Sequence, residues 1–202
     1  LDYGRKLYLI ENCIYGVDIQ PIAVQITKLR FFISLVIDQK KQPEKENLGI
    51  RALPNLETKF VAANTLIGLE KLGQGLLKNQ KIIRLENDLK SIRHKYFSAK
   101  TRRDKINWQK KDKALREEIS KLLVDDGLDK TTAQLIVGFD PYDQNASASF
   151  FDPEWMFGIT EGFDVVIGNP PYFNISTISK DFTKHLSEQY KIVHTGYNDI
   201  VY

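Results

Sequence analysis

Four consecutive residues have the types and the order for chemistry on an amino group: Asn169, Pro170, Pro171 and Tyr172. Each proline fixes φ near about −65°, carries no N–H, and pushes the residue before it into extended backbone. In so stiff a turn the Pro170 carbonyl has no partner from its own segment and can point the same way as the Asn169 side-chain oxygen. Two acceptors then converge on one point, as the two hydrogens of an exocyclic NH₂ group require. Tyr172 adds a flat face, and stacking a base on an aromatic ring contributes about 1–3 kcal/mol. Enzymes that modify a base first swing it out of the duplex, so the arrangement reads as an amino-group methylation site. The plain structural alternative is a Pro-Pro turn closing a strand, with Tyr172 an ordinary surface aromatic.

Such a turn needs a rigid element behind it. Phe163, Val165, Val166 and Ile167 are aromatic or β-branched, and Gly168 follows at once, which predicts a short buried strand ending where the polar run begins. A second unit of this kind lies near the start of the chain. A strand over 14–17 leads to Asp18, and Pro21 stands at the first position of a helix, where its missing N–H is harmless. Ile22, Ile26, Leu29, Ile33 and Val36 recur on one stripe of that helix, the spacing of a core-facing side. An acidic residue at a strand's C-terminal tip can accept from both hydroxyls of a ribose, since ligands collect at that edge of doubly wound sheets. Asp18 is placed for this and Ile19 could lie against an adenine face, although Asp18 as a helix cap is the simpler alternative. A third strand-like run, Lys59 to Ala63, ends at Asn64 and Thr65.

The run FDVVIGNPPY resembles motif IV of the N6-adenine DNA methyltransferases, in the branch found fused in type IIG restriction-modification enzymes. The resemblance implies that Asn169 and Pro170 accept from the adenine amino group, in the turn that Pro171 helps stiffen, that Tyr172 stacks on the flipped adenine, and that S-adenosylmethionine donates the methyl group. It also matches Asp18 and Ile19 to the family's motif II. Asn64, with Thr65 beside it, is matched to motif III at the cofactor adenine, a turn-forming Asn being the alternative. YNDIVY, with Asp199, resembles motif V, which helps line the pocket. The implied fold is α/β, a partial S-adenosylmethionine-dependent methyltransferase (Rossmann-like) sheet, here with a long inserted helical hairpin.

Two helical stripes predict that hairpin: Leu85, Leu89, Ile92 and Tyr96, then Trp108, Leu115, Ile119 and Leu122, joined near Lys100 to Asp104. The expected organisation is a methyltransferase part over 1–68 and 136–202, with the insert over 69–135. Residues 78–121 hold fifteen Lys and Arg against six Asp and Glu, whereas the whole chain carries only +3. Arg102, Arg103 and Lys105 at the presumed mobile tip are candidates for contact with the phosphates of double-stranded DNA; a solvated charged face is the competing reading. Between the hairpin and the catalytic run, 138–162 reads as a loop whose aromatics Phe150, Phe151, Trp155 and Phe157 tuck it against the sheet. A short helix is expected over 180–191.

Composition narrows the class further. One cysteine, Cys13, excludes an internal disulfide framework, and His94, His185 and His194 share no ligand spacing, so no metal site is expected. No apolar run approaches the ~20 residues that span a bilayer and the N-terminal residues do not read as a signal peptide, so the expected location is cytoplasmic with no membrane partner. The resemblance implies a glycine-rich loop before Asp18 for the methionine end of the cofactor, and the residues preceding the 14–17 strand contain none. The expectation is therefore a fragment of a site-specific, adenine-specific DNA methyltransferase, inactive by itself, whose parent supplies the missing N-terminal and target-recognition domains. Exposed sheet edges would allow a homo-oligomer. Methylation of cytosine N4 or of a protein glutamine amide uses the same motif and stays open, as does a helical DNA-binding or assembly module on an α/β scaffold. No nuclease constellation stands out.

Overall fold

A computed structural model describes residues 2–69, 79–169 and 184, and the chain divides into two compact units, Leu1–Thr160 and Glu161–Tyr202. In the first unit, α1 (Tyr3–Asn12) opens on Asp2, whose side chain accepts from the Arg5 N–H at 2.9 Å. Then come β1 (Gly16–Asp18), α2 (Pro21–Ile37), a 3₁₀ turn (Glu46–Gly49) and β2 (Phe60–Ala62). The helices α3 (Gln80–Phe97), α4 (Arg102–Asp125), α5 (Lys130–Gly138) and α6 (Pro153–Phe157) complete it.

The described sheet is smaller than the sequence suggests. β1 and β2 run parallel, with Gly16 opposite Phe60, Val17 opposite Val61 and Asp18 opposite Ala62, and a parallel bridge joins Ala63 to Ala148. Among the described residues the unit is mostly helical around this two-stranded sheet. Gly16 makes the pairing possible, since a Cβ there would stand 2.6 Å from the Phe60 ring. That ring also stacks on Phe31 with centroids 4.7 Å apart.

α2 starts with Pro21 in its first turn as expected, but its apolar stripe points the wrong way for the reading above. Ile22, Ile26, Leu29, Ile33 and Val36 are all exposed, and the inward face is Val24, Lys28 and Leu35 instead. The helix is apolar on two opposite sides, so periodicity alone could not say which one meets the sheet.

α3 and α4 form the expected hairpin, joined by the short segment 98–101. It is no detached arm. Ile82, Leu89, Ile119 and Leu123 share one core cluster with Val61 and Ala63 of the sheet region and with Phe150, Trp155 and Phe157. The aromatic loop therefore packs as read, with Trp155 and Phe157 carried on α6, which Asp152 caps and Gly158 ends with φ +72°. Inside the hairpin lies an ionic lock that apolar periodicity does not reveal. Asp112, 0% exposed, accepts from Arg93 Nε at 2.9 Å and from Arg116 Nε at 2.7 Å, and Tyr142 Oη donates to it at 3.1 Å. Arg93 also donates to the carbonyls of Trp155 and Met156, and Arg116 to those of Val137 and Phe139. Burial would raise the Asp112 carboxyl, but the two guanidiniums outweigh it and hold it below the ordinary carboxylate value.

The C-terminal end of α3 is also tied down. Asn55, buried ahead of β2, donates through Nδ2 to the carbonyls of Tyr96 at 2.7 Å and Ala99 at 2.8 Å. The Tyr96 carbonyl also accepts from the Ser98 and Ala99 N–H groups, so Asn55 adds a side-chain tie to the turn that closes the helix.

In the second unit the strand expected over 163–167 does not form. The segment is irregular, and its exposure rises from 38% at Phe163 to 93% at Ile167. β-propensity expresses itself only when another strand supplies hydrogen bonds and a packing face, and no described strand runs beside this one. Of the helix expected over 180–191, only Lys184 is described, and it is helical.

Candidate active site

Parallel pairing brings two of the sequence-derived positions to one edge. Because Asp18 is the last residue of β1 and sits opposite Ala62, Asp18 and Ile19 emerge beside Ala63, Asn64 and Thr65. The Asp18 carbonyl accepts from the Ala63 N–H at 2.9 Å, so the two strand ends are hydrogen-bonded to each other at this edge. Its carboxylate does not cap α2, whose N-cap is Gln20; Oδ1 accepts from the Gln20 N–H at 2.8 Å and turns the chain toward the helix. The carboxylate remains exposed, and Ile19 beside it is 60% exposed, an apolar side chain offered to solvent at a strand tip.

The Asn64 side chain behaves differently. Its Oδ1 accepts from the Leu66 N–H at 3.1 Å, the local turn that Asn favours. Its backbone N–H reaches the Ala148 carbonyl at 3.0 Å, which fixes Asn64 at the sheet edge. The segment 139–150 closes one side of this edge: Ser147 Oγ donates to the Ile19 carbonyl at 3.0 Å and Gln25 Nε2 to the Gln144 carbonyl at 3.0 Å. Sequence reasoning assigned nothing to Ser147, and a serine in a small-residue loop gave no signal for it.

A cavity of about 370 Å³ opens between α2, β2, α5 and this segment, with Lys28, Asp140 and Ser147 among its lining residues. Lys28 is 6% exposed, and burial lowers its pKa below the usual lysine range, opposed by Glu57.

The second unit holds Asn169, the first residue of the Asn-Pro-Pro-Tyr run. Asn169 is exposed at the end of the irregular segment 165–169. Pro170, Pro171, Tyr172 and Asp199 lie outside the described residues. The hairpin candidates fall at the start of α4, with Arg102 and Arg103 exposed and Lys105 half-buried.

The described edge is thus a parallel strand pair with an acidic residue and an exposed apolar one at the C-terminal tip of β1, which leads into α2. Residues 12–202 match the Eco57I restriction-modification methylase family. The chain belongs to this family, a group of DNA methyltransferases of restriction-modification systems, and membership implies the S-adenosylmethionine-dependent methyltransferase fold. A candidate type II restriction enzyme and methyltransferase of Methanocaldococcus jannaschii is 40% identical over 73 residues, which are 33% of this chain and 5% of that protein. The chain thus matches only a small part of that relative's length. No solved structure matches the chain. Among the described residues no helix is long and apolar enough to cross a membrane.

Proposed function

We propose that this chain carries the target-base acceptors and part of the cofactor edge of a site-specific DNA methyltransferase acting on N6 of a flipped adenine in double-stranded DNA. The observation that carries the reading is the run Asn169-Pro170-Pro171-Tyr172 within the family-matched region, on a chain whose β1 tip presents Asp18 and Ile19. The finer assignment to adenine N6 follows from the resemblance of that run to the N6-adenine branch.

The residues of the β1 tip fit the nucleoside end of S-adenosylmethionine. Asp18 Oδ1 is held by the Gln20 N–H, which orients the carboxylate and leaves Oδ2 to accept from ribose hydroxyls. Ile19, exposed beside it, offers an apolar surface to the adenine. Thr65 and the Asn64 amide nitrogen would complete this side, since the Asn64 oxygen is already engaged in its turn. When bound, the cofactor supplies an electrophilic methyl group.

The work of this chain is then to hold the nucleophile. Asn169 Oδ1 and the Pro170 carbonyl accept the two hydrogens of the amino group, which turns the nitrogen lone pair toward the electrophile and lowers the cost of losing a proton. Pro171 prevents the turn from relaxing into helix. Tyr172 stacks on the extruded base, offsetting part of the lost duplex stacking. Asp199 is assigned to the pocket wall.

Asn169→Ala in the whole protein tests this. Labelled cofactor and duplex DNA should show methylation reduced by about 100-fold or more, the scale of losing a preorganised polar group at a reacting centre. An unchanged rate would remove Asn169 from the mechanism. Label recovered in N4-methylcytosine or in a protein glutamine would move the substrate while keeping the acceptors.

A further inference from the structure

The α3–α4 hairpin carries more positive charge than its fold uses. Between residues 89 and 111 there are nine Lys and Arg and one acidic residue, Asp104. Arg93 is spent inside the ionic lock, and Asp104 is spent on the cap of α4: Thr101 Oγ1 donates to its carboxylate at 2.7 Å and accepts from its N–H at 3.1 Å. The surface ion pair between the two helices, Lys81 with Glu118, lies at the opposite end of the hairpin. Lys95, Lys100, Arg102, Arg103 and Lys111 make no ion pair with any described residue.

Their placement also runs against local stability. Arg102 and Arg103 occupy the first turn of α4, the positive end of the helix dipole, where cations are disfavoured. At the side of the tip, Lys95 from α3 and Lys111 from α4 lie over the Trp108 ring, 5.4 and 4.7 Å from its centroid. An indole with two ammonium groups near it gives a half-buried flat surface beside concentrated charge.

The sequence suggests a mobile tip, but the structure ties it down. Asn55 holds the last carbonyls of α3, Thr101 caps α4, and the Arg93–Asp112–Arg116 lock fixes one helix on the other. Cations on a rigid support recognise a regularly spaced polyanion without the ordering cost that floppy lysines incur.

We propose that this tip, through Lys95, Lys100, Arg102, Arg103 and Lys111 with Trp108 among them, is a sequence-independent contact for the phosphate backbone of duplex DNA. The proposal rests on DNA being the substrate and adds to it a second point of contact, built on the hairpin. Phosphate contacts fix where a protein sits on the duplex without reading bases.

The test is the salt dependence of binding, measured by fluorescence anisotropy with this chain and a labelled duplex of arbitrary sequence. Each phosphate contact adds about 0.9 to the slope of log K against log salt. Lys95→Gln with Lys111→Gln should lower the slope by about 2, Arg102→Gln with Arg103→Gln by a similar amount, and the base variant Lys81→Gln not at all. DNA should change the fluorescence of the wild-type chain and not that of Trp108→Phe. All of these side chains are at least partly exposed, and an unchanged thermal midpoint checks that the variants fold. Slopes unaffected by the tip variants, or lowered equally by Lys81→Gln, would overturn the proposal. So would a wild-type chain that binds no duplex even at low salt. Failure here leaves the site reading standing, because methylated adenine is scored on the whole protein. Transfer to a different amino group would sink that reading while the salt slope persisted.

Discussion

Two helical regions of this chain invert the usual distribution of polar and apolar groups, and they do so in opposite senses. Within the α3–α4 hairpin a carboxylate and two guanidiniums sit inside, answered by each other, by Tyr142 and by backbone carbonyls. On α2, five aliphatic side chains sit outside, facing solvent along the helix's length. The first region meets nearly all of its own requirements, Arg93 Nη2 alone of this group lacking a hydrogen-bond partner among the described residues. The second has one apolar face on the sheet and another that no described residue covers, so burial alone is a poor guide to which part of the chain is complete.

The sharpest way to break this contrast is at Asp112. Asp112→Ala leaves two buried guanidiniums without their shared partner, and removing one member of a buried ionic group costs about 3–5 kcal/mol. Urea denaturation should report a loss on that scale; a loss below about 1 kcal/mol would mean that the lock is solvated and the contrast false.

The two faces of α2 come next, through a paired measurement. Leu35→Ala, at a fully buried position, should cost about 2–5 kcal/mol. Ile33→Gln, on the outward stripe, should stay within about 0.5 kcal/mol. Equal effects would show that the stripe is buried in solution.

Acid titration should produce a smaller, graded change. Because the Asp112 carboxyl is held below its ordinary value of 3.8, the folded state keeps it ionised where the unfolded chain has begun to protonate. Its contribution is fully present above the unfolded value and is lost as pH falls through the lower folded one. Denaturation midpoints should therefore fall as pH drops below about 4, and Asp112→Asn should flatten that limb. A wild-type midpoint that did not move with acid would contradict the assignment.

These contrasts also explain which parts of the fold were legible in the sequence. Pro21 announced the start of α2, Asp18 the end of β1, and the apolar stripes the hairpin, though its turn falls at 98–101 rather than at 100–104, because each signal is local: a missing N–H, a strand tip, a 3.6-residue period. The strand expected at 163–167 had equally good propensity, but propensity cannot supply a neighbour. The outward stripe of α2 was misread because two apolar faces satisfy the same period. The lock stayed hidden because Asp112 and Arg116 look, on paper, like one more exposed i,i+4 pair. At the candidate site, Asp18 and Asn64 could each be found from a strand end, whereas their adjacency is a property of parallel register and appears only in three dimensions.

The outward face of α2 and the charged tip of the hairpin would also respond to different variables. A contact made through Ile22, Ile26, Leu29, Ile33 and Val36 would release water from hydrocarbon, and such association carries a negative heat-capacity change. Its enthalpy would become more favourable on warming while its affinity stayed nearly indifferent to ionic strength. Calorimetry at several temperatures would thus identify α2 at work in any assembly of this chain, even where a salt series registers only the hairpin.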